Sequence, residues 1–167
     1  MLSFLIAIVL IAKHKLQNCK LANRSRCKKA RLLGASIGQN VTIRSGVIFK
    51  GHKNIVIEDN VFIGENTTLV AYGGCLKIGN DVLIAENAYF NTRNHRFRDT
   101  SASIRSQGYK YTDVIIEDNV WIGRGAAILA GSYIENGAVI GANTVINAKT
   151  SKSINRVVID SERYGND

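Results

Sequence analysis

Aliphatic residues recur every six positions along most of this chain, from Ile37 to Ile146. A small or β-branched residue usually follows four positions after the aliphatic one, as Val41 follows Ile37. A strand alternates every two residues and an amphipathic helix every 3.6, so a period of six fits neither of them alone. It fits three short strands joined by tight corners, with both kinds of residue pointing inward. The pattern therefore predicts an all-β fold, a parallel β-helix of about five coils over residues 34–150.

Asparagines mark the corners of this predicted coil. They recur just before the small inward residue, at Asn40, Asn60, Asn66, Asn87, Asn119 and Asn143. Asparagine tolerates the positive φ of a sharp corner better than other residues with a Cβ atom do. We therefore expect the strands to turn at these positions.

The chain ends lie outside the repeat, as an N-terminal arm of residues 1–33 and a C-terminal tail of residues 151–167. The arm is apolar from Met1 to Ala12, apart from Ser3. This stretch of 12 residues is too short to span a bilayer, which needs about 20 residues. Eight basic residues and no acidic one then follow, at Lys13, Lys15, Lys20, Arg24, Arg26, Lys28, Lys29 and Arg31. The arm is predicted to be helical, and it carries most of the net charge of +9.

Two compatible interpretations of the arm stay open. It caps the open end of the solenoid, as repeat proteins require, or it lies on an anionic membrane surface. Nucleic-acid binding is not favoured, because no aromatic residues are interleaved with the charges.

The cysteines favour neither a disulfide framework nor a metal site. Cys19, Cys27 and Cys75 are odd in number and lack the spacing of zinc ligands. We expect no metal, and a cytoplasmic protein that is peripheral at the inner membrane if the arm binds lipid.

The repeat is interrupted between Phe90 and Ile116, which predicts a loop insertion over residues 91–113. His95 lies at the junction of coil and insertion, in a register that points outward. A neutral imidazole there can accept a proton from an alcohol or an amine. The insertion is therefore the first candidate for a functional site.

Aligning the coils brings five outward positions into one column. These positions form a mostly apolar stripe of Thr42, Phe62, Leu83, Trp121 and Val139. An exposed stripe of this kind predicts an interface, covered either by identical chains in a closed ring or by the N-terminal helix.

Three segments together resemble the hexapeptide-repeat acetyltransferases. They are Ile78–Ala85 (IGNDVLIA), the pair Asn94 and His95, and Ile116–Gly123 (IEDNVWIG). The resemblance is to galactoside and maltose acetyltransferases and to O-acetyltransferases of capsule, O-antigen and colanic acid synthesis. It implies a left-handed β-helix, a homotrimer with active sites between neighbouring subunits, and acetyl-CoA as cosubstrate.

The same resemblance implies roles for individual residues. His95 matches the base that deprotonates an acceptor hydroxyl for direct attack on the thioester of acetyl-CoA. The expected acceptor-binding residues are Asn66, Asn91 and Asn94, and those lining the cofactor channel are Trp121, Gly123, Arg124, Ala142 and Lys149. The C-terminal segment with which the family helps hold CoA is different in this chain, so we expect the distal end of the cofactor to be held differently.

The sequence thus favours an acetyl-CoA-dependent O-acetyltransferase acting on a sugar hydroxyl of a surface polysaccharide or its precursor. The alternatives are N-acetylation of an amino-sugar nucleotide, acetylation of a small-molecule acceptor, and a scaffold without catalysis. Binding of acetyl-CoA separates the scaffold from the enzymes.

Overall fold

The computed structural model describes residues 2–17, 19–147 and 157–158. Helices α1 and α2 span Leu2–Gln17 and Lys20–Leu32. The strands of the described residues are β1 (Ser36–Ile37), β2 (Thr42–Ile43), β3 (Ile48–Lys50), β4 (Ile55–Ile57), β5 (Phe62–Ile63), β6 (Thr68–Val70), β7 (Leu76–Ile78), β8 (Leu83–Ile84), β9 (Tyr89–Asn91), β10 (Arg93–His95), β11 (Tyr109–Tyr111), β12 (Val114–Ile116), β13 (Trp121–Ile122), β14 (Ala127–Ile128), β15 (Tyr133–Ile134), β16 (Val139–Ile140), β17 (Val145–Ile146) and β18 (Val157–Val158).

Successive strands go in turn to three parallel sheets, which form the faces of a triangular prism. The A sheet has the order β1-β4-β7-β12-β15, the B sheet β2-β5-β8-β13-β16-β18, and the C sheet β3-β6-β9-β14-β17. Each coil contributes one strand to every sheet. The fold is a left-handed parallel β-helix of about five coils with an N-terminal helical arm. This confirms the coils predicted from the six-residue period and the left-handedness implied by the family resemblance.

The core lies inside the prism and consists of the residues of the repeat. Of the aliphatic positions, all but Phe49 are buried, and the small residues between them are buried except Val47. Phe49 and Val47 belong to the first coil, where only one neighbouring coil covers them. The ring of Phe49 instead stacks on His52, with 5.8 Å between the centroids.

The corners are where the asparagines predict them. All six have a positive φ, between 53° and 60°, and Asp81 with φ 56° takes the equivalent position in the third coil. Side chains also join the corners of successive coils. The Asp118 carboxylate, for example, accepts a hydrogen bond from the backbone N–H of Asn80 at 2.7 Å. Left-handed backbone and stacked polar side chains thus stabilise the corners together.

Helix α2 caps the open end of the prism. Cys27 and Ala30 are buried against the first coil. The edge strand β2 would otherwise leave its backbone groups unpaired. Asn23 satisfies two of them, because its Nδ2 donates to Val41 O at 3.0 Å and its Oδ1 accepts from Ile43 N at 2.7 Å. Arg26 Nε donates to Ile43 O at 2.6 Å, which completes this edge.

Helix α1 presents apolar side chains to solvent. Ile6, Val9, Leu10, Ile11 and Leu16 are each more than half exposed. Near its C-terminal end, His14 Nε2 lies 3.2 Å from Glu65 Oε1, which joins the helix to the second coil. None of the described helices is long and apolar enough to cross a membrane.

Candidate active site

The insertion between β9 and β12 contains a β-hairpin. Strands β10 and β11 pair antiparallel, with Asn94 opposite Lys110 and His95 opposite Tyr109. Gln107 holds the loop between them, since its Nε2 donates to Asp99 O at 2.9 Å and its Oε1 accepts from Asp99 N at 3.2 Å. The sequence predicted a loop here without regular structure. It missed the hairpin because the paired segments share no period and lie 14 residues apart.

The base of the hairpin is fixed to the corner between the C and A sheets. Thr92 is buried, its N–H donates to Val70 O at 3.1 Å, and its hydroxyl donates to Tyr72 O at 3.2 Å. The Arg93 guanidinium lies over the rings of Tyr72 and Tyr109, 4.8 Å from each centroid. Cation–π contacts on both sides of Arg93 therefore join the hairpin to the solenoid.

The side chain of His95 is exposed and packs on one neighbour. Its ring centroid lies 4.4 Å from that of Tyr109, with the planes tilted by 40°. The outward orientation inferred from its register agrees with this exposure. Tyr109 is the additional residue that the structure brings to the site. The only signal for it in the sequence is the aromatic content of the insertion.

A groove of about 760 Å³ opens beside His95. Its lining residues are Asn94, His95, Arg96, Phe97, Arg98, Asp99, Gln107 and Lys110. A volume of this size suits a small organic ligand, for which pockets of about 300–1,000 Å³ are usual. The predicted base therefore lies beside a cavity that can hold a substrate.

The three predicted acceptor-binding asparagines have different surroundings. Asn94 lies on β10 and lines the groove with His95. Asn91 is the last residue of β9, and its Oδ1 accepts a hydrogen bond from Arg93 N at 3.2 Å. It therefore contacts the first residue of the hairpin strand β10. Asn66 is exposed at the corner between the B and C sheets, before β6, whereas His95 follows β9 at the opposite end of the C strands. The structure thus brings only Asn94 and Asn91 to the hairpin.

The predicted cofactor residues lie on the B sheet and at the same corner as Asn66. Trp121 projects from β13 and is 55% exposed, while Arg124 and Ala142 are exposed at the corners of successive coils. Gly123 is buried where a Cβ atom would lie 2.6 Å from Ala142 N, so the close approach of two coils requires glycine there. Lys149 lies outside the described residues.

Cys75 is poorly suited to act as a nucleophile. Burial raises the pKa of its thiol, and the nearby Asp113 carboxylate raises it further. The thiolate is the nucleophilic form, so a raised pKa lowers the reactivity of this side chain at neutral pH.

The described residues hold no group of three or more His, Cys, Asp or Glu side chains that could bind a metal ion.

The fold and this groove define a hexapeptide β-helix protein with an inserted hairpin. Residues 113–148 match the family described as bacterial transferase hexapeptide (six repeats), and residues 54–89 match the hexapeptide repeat of succinyl-transferase. The repeats of this chain are thus of the hexapeptide type found in the hexapeptide-repeat acetyltransferases.

Comparison with individual proteins gives the same family. A galactoside O-acetyltransferase of Lactococcus lactis is 32% identical over 67% of this chain, and the chain spans about half, 53%, of that relative. A putative lipopolysaccharide biosynthesis O-acetyltransferase of Escherichia coli K12 is 27% identical, over 85% of this chain and 76% of the relative. A hexapeptide-repeat acetyltransferase of Vibrio cholerae, solved in complex with acetyl-CoA, superposes with a TM-score of 0.69 at 28% identity. That match covers 83% of this chain and 74% of the other.

Proposed function

We propose that this protein transfers the acetyl group of acetyl-CoA to a sugar hydroxyl of a surface polysaccharide or its precursor. The observation that carries the proposal is His95, an exposed imidazole packed on Tyr109 at the wall of a groove large enough for a sugar. The names of the relatives support the choice of substrates, since one acts on galactosides, one is linked to lipopolysaccharide biosynthesis, and one was solved with acetyl-CoA.

The proposed chemistry is a direct transfer. The neutral His95 imidazole accepts the proton of the acceptor hydroxyl while the oxygen attacks the thioester carbonyl carbon. Backbone N–H groups stabilise the oxyanion of the tetrahedral intermediate. The carbon–sulfur bond then breaks, and the departing thiolate takes the proton from the imidazolium. Contact with Tyr109 restricts rotation of the imidazole ring, which favours one orientation towards the hydroxyl.

A screen of acceptors tests the function and its alternatives together. We expect thiol release from acetyl-CoA to depend on an added sugar, sugar nucleotide or polysaccharide fragment, with a product that hydroxylamine cleaves because it is an ester. A hydroxylamine-resistant amide would instead support N-acetylation of an amino sugar. Failure to bind acetyl-CoA in calorimetry would contradict both and favour the scaffold.

A homotrimer with shared sites is part of this proposal. Strand register stacks Thr42, Phe62, Leu83, Trp121 and Val139 into the apolar stripe that the sequence predicts on the B sheet. Leu83 and Trp121 are 52% and 55% exposed, which favours cover by another chain. His95 and the predicted cofactor residues lie at opposite ends of the C strands. A neighbouring chain that places its cofactor residues beside this His95 would complete each site.

We further propose that the N-terminal arm binds an anionic membrane surface, where acceptors of this class are assembled. Val9 and Ile11 lie about 200° apart around α1, and both are about 60% exposed. A helix with exposed apolar side chains on both sides is stable only where another apolar surface covers them. At 16 residues, α1 is about 24 Å long, shorter than a bilayer core, so it would lie in the interface.

The exposed side of α2 supplies the charge for this contact. Lys20, Arg24 and Lys28 follow one another at intervals of four residues, which places them on one exposed stripe of the helix. The cap residues Asn23, Cys27 and Ala30 lie on the adjacent face of α2, so one helix serves both interpretations of the arm. No acidic residue precedes Glu58. Positive charge beside an apolar helix is complementary to anionic lipid headgroups.

Vesicle sedimentation tests this contact. Full-length protein should bind phosphatidylglycerol vesicles at low salt, and replacing Val9 and Ile11 by glutamate should abolish binding. Changing Arg24 and Lys28 to glutamine should weaken it about thirtyfold, because each charge contributes about 1 kcal/mol near such a surface. Lys77→Gln on the A sheet is the matched control. Equal binding to neutral phosphatidylcholine vesicles, or unchanged binding of the Val9 and Ile11 variant, would contradict the proposal.

A further inference from the structure

The groove beside His95 is strongly basic. Between Arg93 and Tyr111 the insertion carries the basic residues Arg93, Arg96, Arg98, Arg105 and Lys110, against the single acid Asp99. Three of these cations, Arg96, Arg98 and Lys110, line the groove itself. Outside the arm and this insertion the chain is not basic, so the charge is concentrated next to the predicted base.

The only acid of this hairpin, Asp99, also lines the groove and is bound by neutral donors. Asp99 Oδ1 accepts hydrogen bonds from Ser101 Oγ at 2.6 Å and from Ser101 N at 2.9 Å, and these bonds hold the pKa of the carboxyl below its usual value. Among the described residues, the ion pairs within 4.0 Å involve other side chains, and none joins Arg96, Arg98 or Lys110 to a carboxylate. The three cations of the groove therefore have no ion-pair partner among the described residues, and together with the charge of Asp99 they give the groove a net charge of +2.

Solvated charges on a loop normally spread apart, because like charges repel. Here three of them line one cavity, where their potentials add and raise the local concentration of an anion. Arginine is also suited to phosphate, because its planar guanidinium donates two parallel hydrogen bonds to neighbouring oxygens. A cavity lined by two arginines and a lysine therefore has the features of an anion-binding site.

We infer that this groove binds a phosphate or diphosphate group of the acceptor. The inference rests on the proposed function and makes its acceptor a phosphate-bearing sugar, such as a sugar nucleotide or a lipid-linked sugar diphosphate. Arg98 lies three residues after His95, so their Cα atoms are at most about 11 Å apart. The two ends of one sugar phosphate can therefore reach the base and the cations together.

Acetyl-CoA also carries a diphosphate, and its chemistry would suit the same cations. Within one chain the placement of the residues favours the acceptor; in the proposed trimer the cofactor residues near the groove would come from the neighbouring chain, so the two sources are separated by experiment. The residues that the family resemblance implies for CoA include Trp121, Arg124 and Ala142, on the B sheet and its corner with the C sheet. The groove lies at the other corner, between the C and A sheets.

Titration of the full-length protein with inorganic pyrophosphate tests the anion site. Calorimetry should show binding that weakens with salt. The double variant Arg96→Gln and Arg98→Gln should bind about tenfold less tightly or worse, because two charge-assisted hydrogen-bond donors are lost. Arg105→Gln is the matched control, since this residue is exposed in the same insertion but does not line the groove. It should stay within about twofold of the unmodified protein.

Titration of the same variants with acetyl-CoA identifies the source of the phosphate. Unchanged acetyl-CoA affinity in the double variant supports the acceptor. A parallel loss of acetyl-CoA and pyrophosphate binding would assign the groove to the cofactor and overturn the inference. No pyrophosphate binding, or equal binding by all variants, would overturn the anion site itself. Pyrophosphate binding without any acetyl-CoA binding would contradict the proposed function and leave the anion site standing.

Discussion

Replacing His95 with alanine is expected to lower turnover by about two to four orders of magnitude, the usual contribution of a positioned general base. The reason is geometric as well as chemical. The imidazole is exposed at the groove, and the described residues contain no other histidine on the hairpin that could take over its proton transfer. Thiol release from acetyl-CoA under saturating acceptor is the measurement.

Two controls separate loss of the base from loss of structure. The His95→Ala protein should keep the molecular mass in solution and the acetyl-CoA affinity of the unmodified protein, because the ring is exposed and lies against Tyr109 outside the buried core. Tyr109→Phe keeps the ring contact and should keep most of the activity, whereas Tyr109→Leu should reduce it. Near-normal turnover of His95→Ala would remove this histidine from the mechanism.

Trp121→Asp is expected to dissociate the proposed trimer. The substitution places a carboxylate in the middle of the apolar stripe, between Leu83 and Val139 of the neighbouring strands. Burying an unpaired charge in an interface costs about 3–5 kcal/mol per site, which is enough to separate subunits. Light scattering should then give the mass of a monomer. Activity should fall with it if each site is shared between chains.

Val56→Asp is the matched control for this prediction. Val56 occupies the corresponding outward position on the A sheet, between Ser36 and Lys77, away from the apolar stripe. It should leave the mass of the assembly unchanged. An intact trimer of Trp121→Asp would show that the stripe is covered by something other than a second copy.

Local periodicity was enough to predict the solenoid. Each coil repeats the same six-residue unit, so burial at Ile63 or Ile122 and the turn at Asn60 follow from short stretches of sequence. Neighbouring coils then stack in register because every unit has the same length. This regularity also placed Phe62, Leu83 and Trp121 in one column and made the interruption at His95 stand out.

The capping of the first coil depended on contacts that no period describes. The sequence left cap and membrane contact open for the arm. Packing separates the two sides of α2, because Asn23 and Cys27 face the edge of β2 while Lys20 and Arg24 stay exposed. Which side of a basic helix is buried depends on the distant strand it meets.

The sequence by itself determined the β-helix, its corners, its apolar stripe and the location of the insertion with its histidine. Only the tertiary structure decided how that insertion folds. Pairing of His95 with Tyr109, the placement of Arg93 between two tyrosines, and the convergence of Arg96 and Arg98 on one groove all join residues without a repeat. Such contacts depend on how the hairpin packs at the corner of the prism. The six-residue period carries no information about that packing.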